Sequence, residues 1–67
     1  MLNPKERLII ALDFNSMSDA VKLIDELGDN AIFYKVGLEL FLYTKGEIIE
    51  YLASKNKKVF LDLKFHD

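Results

Sequence analysis

The side chains best suited to chemistry are Asp62, Lys64 and Asp67, which form the pattern Asp-x-Lys-x-x-Asp within the run Val59-Phe60-Leu61-Asp62-Leu63-Lys64-Phe65-His66-Asp67. Side chains alternate along a strand, so Asp62 and Lys64 share one face while Leu61, Leu63 and Phe65 share the other. Ions in so apolar a strand are costly to bury unless paired and hydrogen-bonded, so the strand either meets water at its end or builds a site. Asp67 falls past the strand, where it can swing away or reach a neighbour. Two earlier apolar runs end with the same parity: Ile9, Ala11 and Asp13 share a face, as do Phe33, Lys35 and Gly37, and Phe60, Asp62 and Lys64. Side by side in a parallel sheet, Asp13, Lys35, Asp62 and Lys64 would form a compact cluster of alternating sign. In such a cluster buried charges become tolerable, and lysines and carboxylates acquire the shifted pKa values that mark functional sites.

Each of these residues also has a purely structural reading. Asp13 suits a helix cap or turn, Lys35 a snorkelling edge lysine, and Asp62 with Lys64 an isolated ion pair closing a strand. Their joint placement favours a site. His66 has the opposite parity to Asp62 and Lys64 and is expected to pack or hydrogen-bond. Glu47, Glu50, Lys55, Lys57 and Lys58 are expected on the solvated surface.

The elements that must position this cluster follow from apolar spacing. Leu8-Ile9-Ile10-Ala11-Leu12 is a short continuous apolar run, expected to be a strand buried on both faces and closed by Asp13. Asn15-Ser16-Met17-Ser18 supplies helix-capping residues. Met17, Ala20, Val21, Ile24 and Leu27 then recur at helical spacing opposite Asp19, Lys22, Asp25 and Glu26, with Gly28 as the stop. Ala31 to Val36 is β-branched and aromatic and predicts a second strand ending at Gly37. Leu38 to Tyr43 fits a helical turn about as well as a strand and is read as a short helix. Gly46 interrupts it, and Glu47 to Lys55 forms a second helical piece with Ile48, Ile49, Leu52 and Ala53 inward and Asn56 as terminator. Lys57-Lys58 leads into a third strand, Val59 to Lys64. Strand, helix, strand, helix, strand with short connections predicts βαβ units and a parallel α/β sheet, whose ligands bind at the C-terminal strand ends.

Bulk properties bound the function classes. The 67 residues are 51% hydrophobic and 30% charged, the balance of core-forming globular sequence. A chain of this length buries only about 60% of the surface its unfolded form exposes, so any large fold would be incomplete. The sequence holds no cysteine, which removes disulfides, thiolate nucleophiles and cysteine-based zinc sites. No N-terminal signal-like stretch and no apolar run of spanning length occur, so the expectation is a cytoplasmic chain without a membrane partner. A net charge of −2 without a basic stripe gives no reason to expect nucleic acid.

Three motifs carry a resemblance: Ala11-Leu12-Asp13, Lys35-Val36-Gly37 and Asp62-Leu63-Lys64-Phe65-His66-Asp67, each closing a strand. In order and spacing the chain resembles the N-terminal part of the orotidine 5′-phosphate decarboxylases, from Arg7 to Asp67. The resemblance implies a (β/α)₈ TIM barrel, a fold of roughly 200 residues or more, of which residues 1–67 would be an incomplete domain with the first three strands and two helices. It implies a cofactor-free and metal-free carboxy-lyase of pyrimidine synthesis that converts orotidine 5′-phosphate to uridine 5′-phosphate and carbon dioxide. By the same resemblance, Asp13 and Lys35 would bind the ribose hydroxyls, and Lys35 would pair with Asp62. Lys64 would be the proton donor that Asp62 keeps oriented. Asp67 would reach across a homodimer interface into the neighbouring site.

The same Asp-x-Lys-x-x-Asp signature is found in the magnesium-dependent hexulose-phosphate synthases and ketogulonate-phosphate decarboxylases. Those relatives usually carry glutamate where this chain has Lys35, which favours the orotidylate enzymes. The phosphate- and pyrimidine-binding loops of the family have no counterpart in the 67 residues. The chain alone is therefore expected to be inactive and to self-associate or to need the rest of a barrel. A non-catalytic half-barrel assembly or binding module is the alternative.

Overall fold

The computed structural model describes residues 8–64, and the expectations attached to Phe65, His66 and Asp67 lie outside the described residues. In chain order the elements are β1 (Ile9–Leu12), α1 (Met17–Leu27), a 3-10 turn (Gly28–Asn30), β2 (Phe33–Gly37), α2 (Leu38–Tyr43), α3 (Glu47–Ser54) and β3 (Lys58–Asp62). The three strands are parallel and lie in the order β1-β2-β3. This is the βαβαβ arrangement that the alternation of apolar periods predicts.

Local chemistry sets the helix ends. Ser16 caps α1, its hydroxyl accepting the Asp19 N–H at 3.2 Å. Gly28 ends α1 at φ 51°, a left-handed conformation that a residue without a Cβ adopts at little cost, and its N–H donates to the Ile24 carbonyl. Between α2 and α3 the chain turns through Lys45 and Gly46, both at positive φ. Thr44, buried, splices the two helices: its hydroxyl donates to the Leu40 carbonyl at 2.9 Å and accepts the Ile48 N–H at 3.4 Å.

The core lies on one side of the sheet. Leu12, Tyr34 and Val36 project from the strands into a cluster with Ala20 and Ile24 of α1, Ala31, Leu40 of α2, and Ile48 and Leu52 of α3. The opposite face carries Ile9, Ala11, Phe33, Lys35, Phe60 and Asp62. Ile9 and Phe60 are each 51% exposed there.

Several sequence expectations need correction. β1 is not buried on both faces, because all the packing helices lie on one side of the sheet and Ile9 and Ala11 face away from them. β2 begins at Phe33, since the 3-10 turn leaves Ala31 and Ile32 as a connection. β3 starts one residue earlier than expected, at Lys58, and stops at Asp62, the residue in register with the last residue of β2, Gly37. Beyond it Leu63 and Lys64 have no strand to pair with among the described residues. Ala53 is exposed, while Ile48 and Leu52 are buried as expected. Lys57 is half-buried rather than solvated: its ammonium donates to the carbonyls of Gly28 (2.6 Å) and Ala31 (2.9 Å), tying the start of β3 to the end of α1. Lys55 lies over the Tyr51 ring, 5.5 Å from its centroid.

Candidate active site

The register fixes which side chains meet at the C-terminal end of the sheet. Ala11, Lys35 and Phe60 are level with one another, and one pleat further on Gly37 is level with Asp62. Leu12 pairs with Val36, so Asp13 follows at the level of Gly37. Asp13, Lys35 and Asp62 therefore lie on the same side of the sheet, the side away from the core. Glycine at position 37 leaves the gap between the two aspartates without a side chain.

These residues line a cleft of about 650 Å³ at the strand tips. Its walls include Asp13, Asn15, Lys35, Glu39, Asp62 and Lys64, with Leu12, Leu38 and Leu42 supplying apolar surface. Lys35 and Asp62 are half-buried, and Asp13 and Lys64 are exposed. Inside the group, the Lys64 backbone N–H donates to Asp62 Oδ1 at 3.3 Å, which holds the carboxylate against the start of the segment that carries the lysine. The described residues form no direct ion pair between Lys35 and Asp62; the charges share a cleft without interlocking. Two ammonium groups thus stand among several carboxylates beside an apolar wall, an arrangement able to orient a polar ligand and to move a proton.

The sequence-derived candidates Asp13, Lys35, Asp62 and Lys64 are brought together, and Asp67 lies outside the described residues. Glu39 and Asn15 were not singled out from the sequence, yet both line the cleft. Glu39 sits in the first turn of α2, which starts directly from the tip of β2. A helix leaving a strand tip with no connecting loop must hold its first turn over that tip, and this was the available signal. Among the described residues no group of three or more His, Cys, Asp and Glu side chains is placed to hold a metal ion. No helix of the described residues is long and apolar enough to cross a membrane.

Residues 6–67 match the model of a family described as "Orotidine 5'-phosphate decarboxylase / HUMPS family". The chain belongs to this family. Curated relatives named orotidine 5′-phosphate decarboxylase agree. That of Methylobacterium sp. (strain 4-46) is 50% identical over 66 residues, covering 98% of this chain and 28% of the relative. That of Prochlorococcus marinus (strain MIT 9211) is 51% identical over 67 residues, covering 100% of this chain and 27% of the relative. That of Methylococcus capsulatus is 51% identical over 65 residues, covering 92% of this chain and 26% of the relative. The chain spans about a quarter of the length of the curated relatives it matches. No solved structure gives a significant match. Within the decarboxylase family the three parallel strands and their helices correspond to the N-terminal part of a TIM barrel, whose sites form at the C-terminal strand ends. The charged cleft occupies that end of this sheet.

Proposed function

We propose that Asp13, Lys35, Asp62 and Lys64 form part of an active site that decarboxylates orotidine 5′-phosphate to uridine 5′-phosphate, in a cytoplasmic enzyme of pyrimidine synthesis. The observation that carries this reading is the convergence of two lysines and two aspartates from three strand tips on one cleft. In the reaction the bond between C6 and the carboxylate breaks, carbon dioxide leaves and the electron pair stays on C6. The Lys64 ammonium stabilises that developing negative charge and then gives C6 a proton. Asp62 orients Lys64, and its contact with the Lys64 backbone supports that positioning role. Asp13 and Lys35 bind the ribose hydroxyls. Asp67 completes the neighbouring site of a homodimer.

The cleft's own charge argues for help from elsewhere. Asp13, Glu39 and Asp62 outnumber Lys35 and Lys64 among its lining residues, so it offers no cationic seat for the substrate phosphate. The phosphate grip must come from other elements, and remote binding energy of that kind is what raises turnover at the reacting centre. The 67-residue chain alone is accordingly inactive.

The test joins this chain to the remaining three quarters of a relative's barrel and measures uridine 5′-phosphate formation in the presence of a chelator. Turnover supports the decarboxylase reading. Assembly without turnover supports a non-catalytic binding module, a reading that the uncovered sheet face favours. Turnover on sugar phosphates that requires added magnesium would move the chain to the sugar-phosphate branch of the family.

A further inference from the structure

Among the described residues, Glu39 is the one charged side chain of the cleft to which the reaction gives no task, and its charge sets the sign of the cleft. The charged lining residues are Asp13, Glu39 and Asp62 against Lys35 and Lys64, so the cleft is acidic with Glu39 and would be neutral without it. The backbone fixes where that carboxylate stands. Gly37 is at once the last residue of β2 and the N-cap of α2, so Glu39 enters the first helical turn over the strand tip. Leu40 beside it is 1% exposed and anchors that turn in the core. These constraints are local to β2 and α2 and hold whichever further elements complete the sheet.

We propose that Glu39 is a specificity-determining residue, which makes the cleft admit nucleotides whose ribose diol is free and reject those that carry a phosphate on it. This rests on the decarboxylase reading, in which Asp13 and Lys35 take the ribose hydroxyls. Lys35 is half-buried and forms no ion pair among the described residues. An ammonium so placed attracts a phosphate more strongly than a neutral hydroxyl. Glu39 follows Lys35 by four residues and lines the same cleft of about 650 Å³. A sphere of that volume is about 11 Å across, close to one Debye length at 0.1 M salt, so an ion inside it is poorly screened from the walls. The Glu39 carboxylate therefore offsets the pull of Lys35 on an anion without touching the ligand, and leaves the lysine donors available to hydroxyls. Asp13 and Asp62 only balance the two lysines; the third acid tips the cleft against a second phosphate. Selection here works by rejecting the wrong ligand rather than by gripping the right one. An acid in the first turn of α2 also suits the helix dipole. That structural role would affect stability and would not distinguish two nucleotides.

The test uses this chain joined to the remaining three quarters of a relative's barrel. It compares inhibition of orotidine 5′-phosphate turnover by uridine 5′-phosphate and by uridine 3′,5′-bisphosphate. The unsubstituted barrel should bind the bisphosphate less tightly. In Glu39→Gln that preference should shrink by about tenfold, and in Glu39→Asp, which keeps the charge, it should stay within about twofold of the parent. Both nucleotides meet the same protein, so a change in folding or in the active fraction cancels in the ratio. Added salt should bring the preference of the parent towards that of Glu39→Gln. An unchanged ratio in Glu39→Gln, or a parental preference that salt leaves intact, overturns the proposal, because exclusion then comes from shape. A parent barrel that fails to convert orotidine 5′-phosphate overturns the decarboxylase reading and this inference with it; an unchanged ratio in a barrel that turns over removes this inference alone.

Discussion

The two faces of this three-stranded sheet come from the same strands and have opposite fates. On the core face, Leu12, Tyr34 and Val36 are buried beneath α1, α2 and α3. On the other face, Ile9 and Phe60 remain half-exposed and the pleat ends in Asp13, Lys35 and Asp62. Alternation along a strand lets one sequence carry both programmes at once: odd and even positions answer to different selective demands. One face holds the fold together, and the other holds the chemistry together with surface that needs a cover. Stability and function should therefore respond to different substitutions only one residue apart.

The sharpest way to break that contrast is to truncate each face in turn. Leu52→Ala, beneath the core face, should cost about 2–5 kcal/mol and leave so small a domain largely unfolded. Phe60→Ser on the uncovered face should change the unfolding free energy by about 0.5 kcal/mol or less. Urea denaturation followed by circular dichroism at low chain concentration measures both. Equal losses would mean that the uncovered face is part of the core.

A smaller effect is expected at the bottom of the sheet, where Lys57 closes the carbonyls of Gly28 and Ala31. Lys57→Met keeps the apolar stem and removes the charged donor, and should cost about 1–2 kcal/mol in the same measurement. No change would assign Lys57 to the solvated surface after all.

The smallest effect concerns pH. The Tyr51 hydroxyl donates to the Asp25 carboxylate, and this bond, with desolvation and the aspartate charge behind it, raises the phenol pKa above its ordinary value. The contribution of that bond is complete below the unfolded phenol pKa of about 10 and is lost as pH rises through the higher folded value. The melting temperature should decline slightly in that alkaline range, and Tyr51→Phe should flatten this part of the profile. A decline unchanged in the variant would place its cause elsewhere.

What was legible in the sequence follows the same division. Strand and helix identities were readable because apolar period is a local property, and Ser16 and Gly28 mark the ends of α1 by side-chain chemistry alone. Asp13, Lys35, Asp62 and Lys64 could be grouped because parity survives small errors in strand boundary. Exposure of Ile9 and Ala11 was not legible, since an apolar run does not say whether a second layer is present. The early stop of β3 was missed because strand length depends on the neighbouring β2, which ends at Gly37. Lys57 and Glu39 were missed for a related reason: a charge at an element junction reads as solvent-facing until the approach of another element is known.

The most direct test of the central claim uses a full-length barrel in which this chain replaces the matching quarter of the Methylobacterium relative, with Lys64→Ala as the single change. Turnover of orotidine 5′-phosphate should fall by at least about 100-fold, the scale of a lost general acid, while the melting temperature stays at that of the parent. Parental turnover in the variant, or a loss of turnover matched by a loss of folding, would contradict a chemical role for the uncovered strand tips.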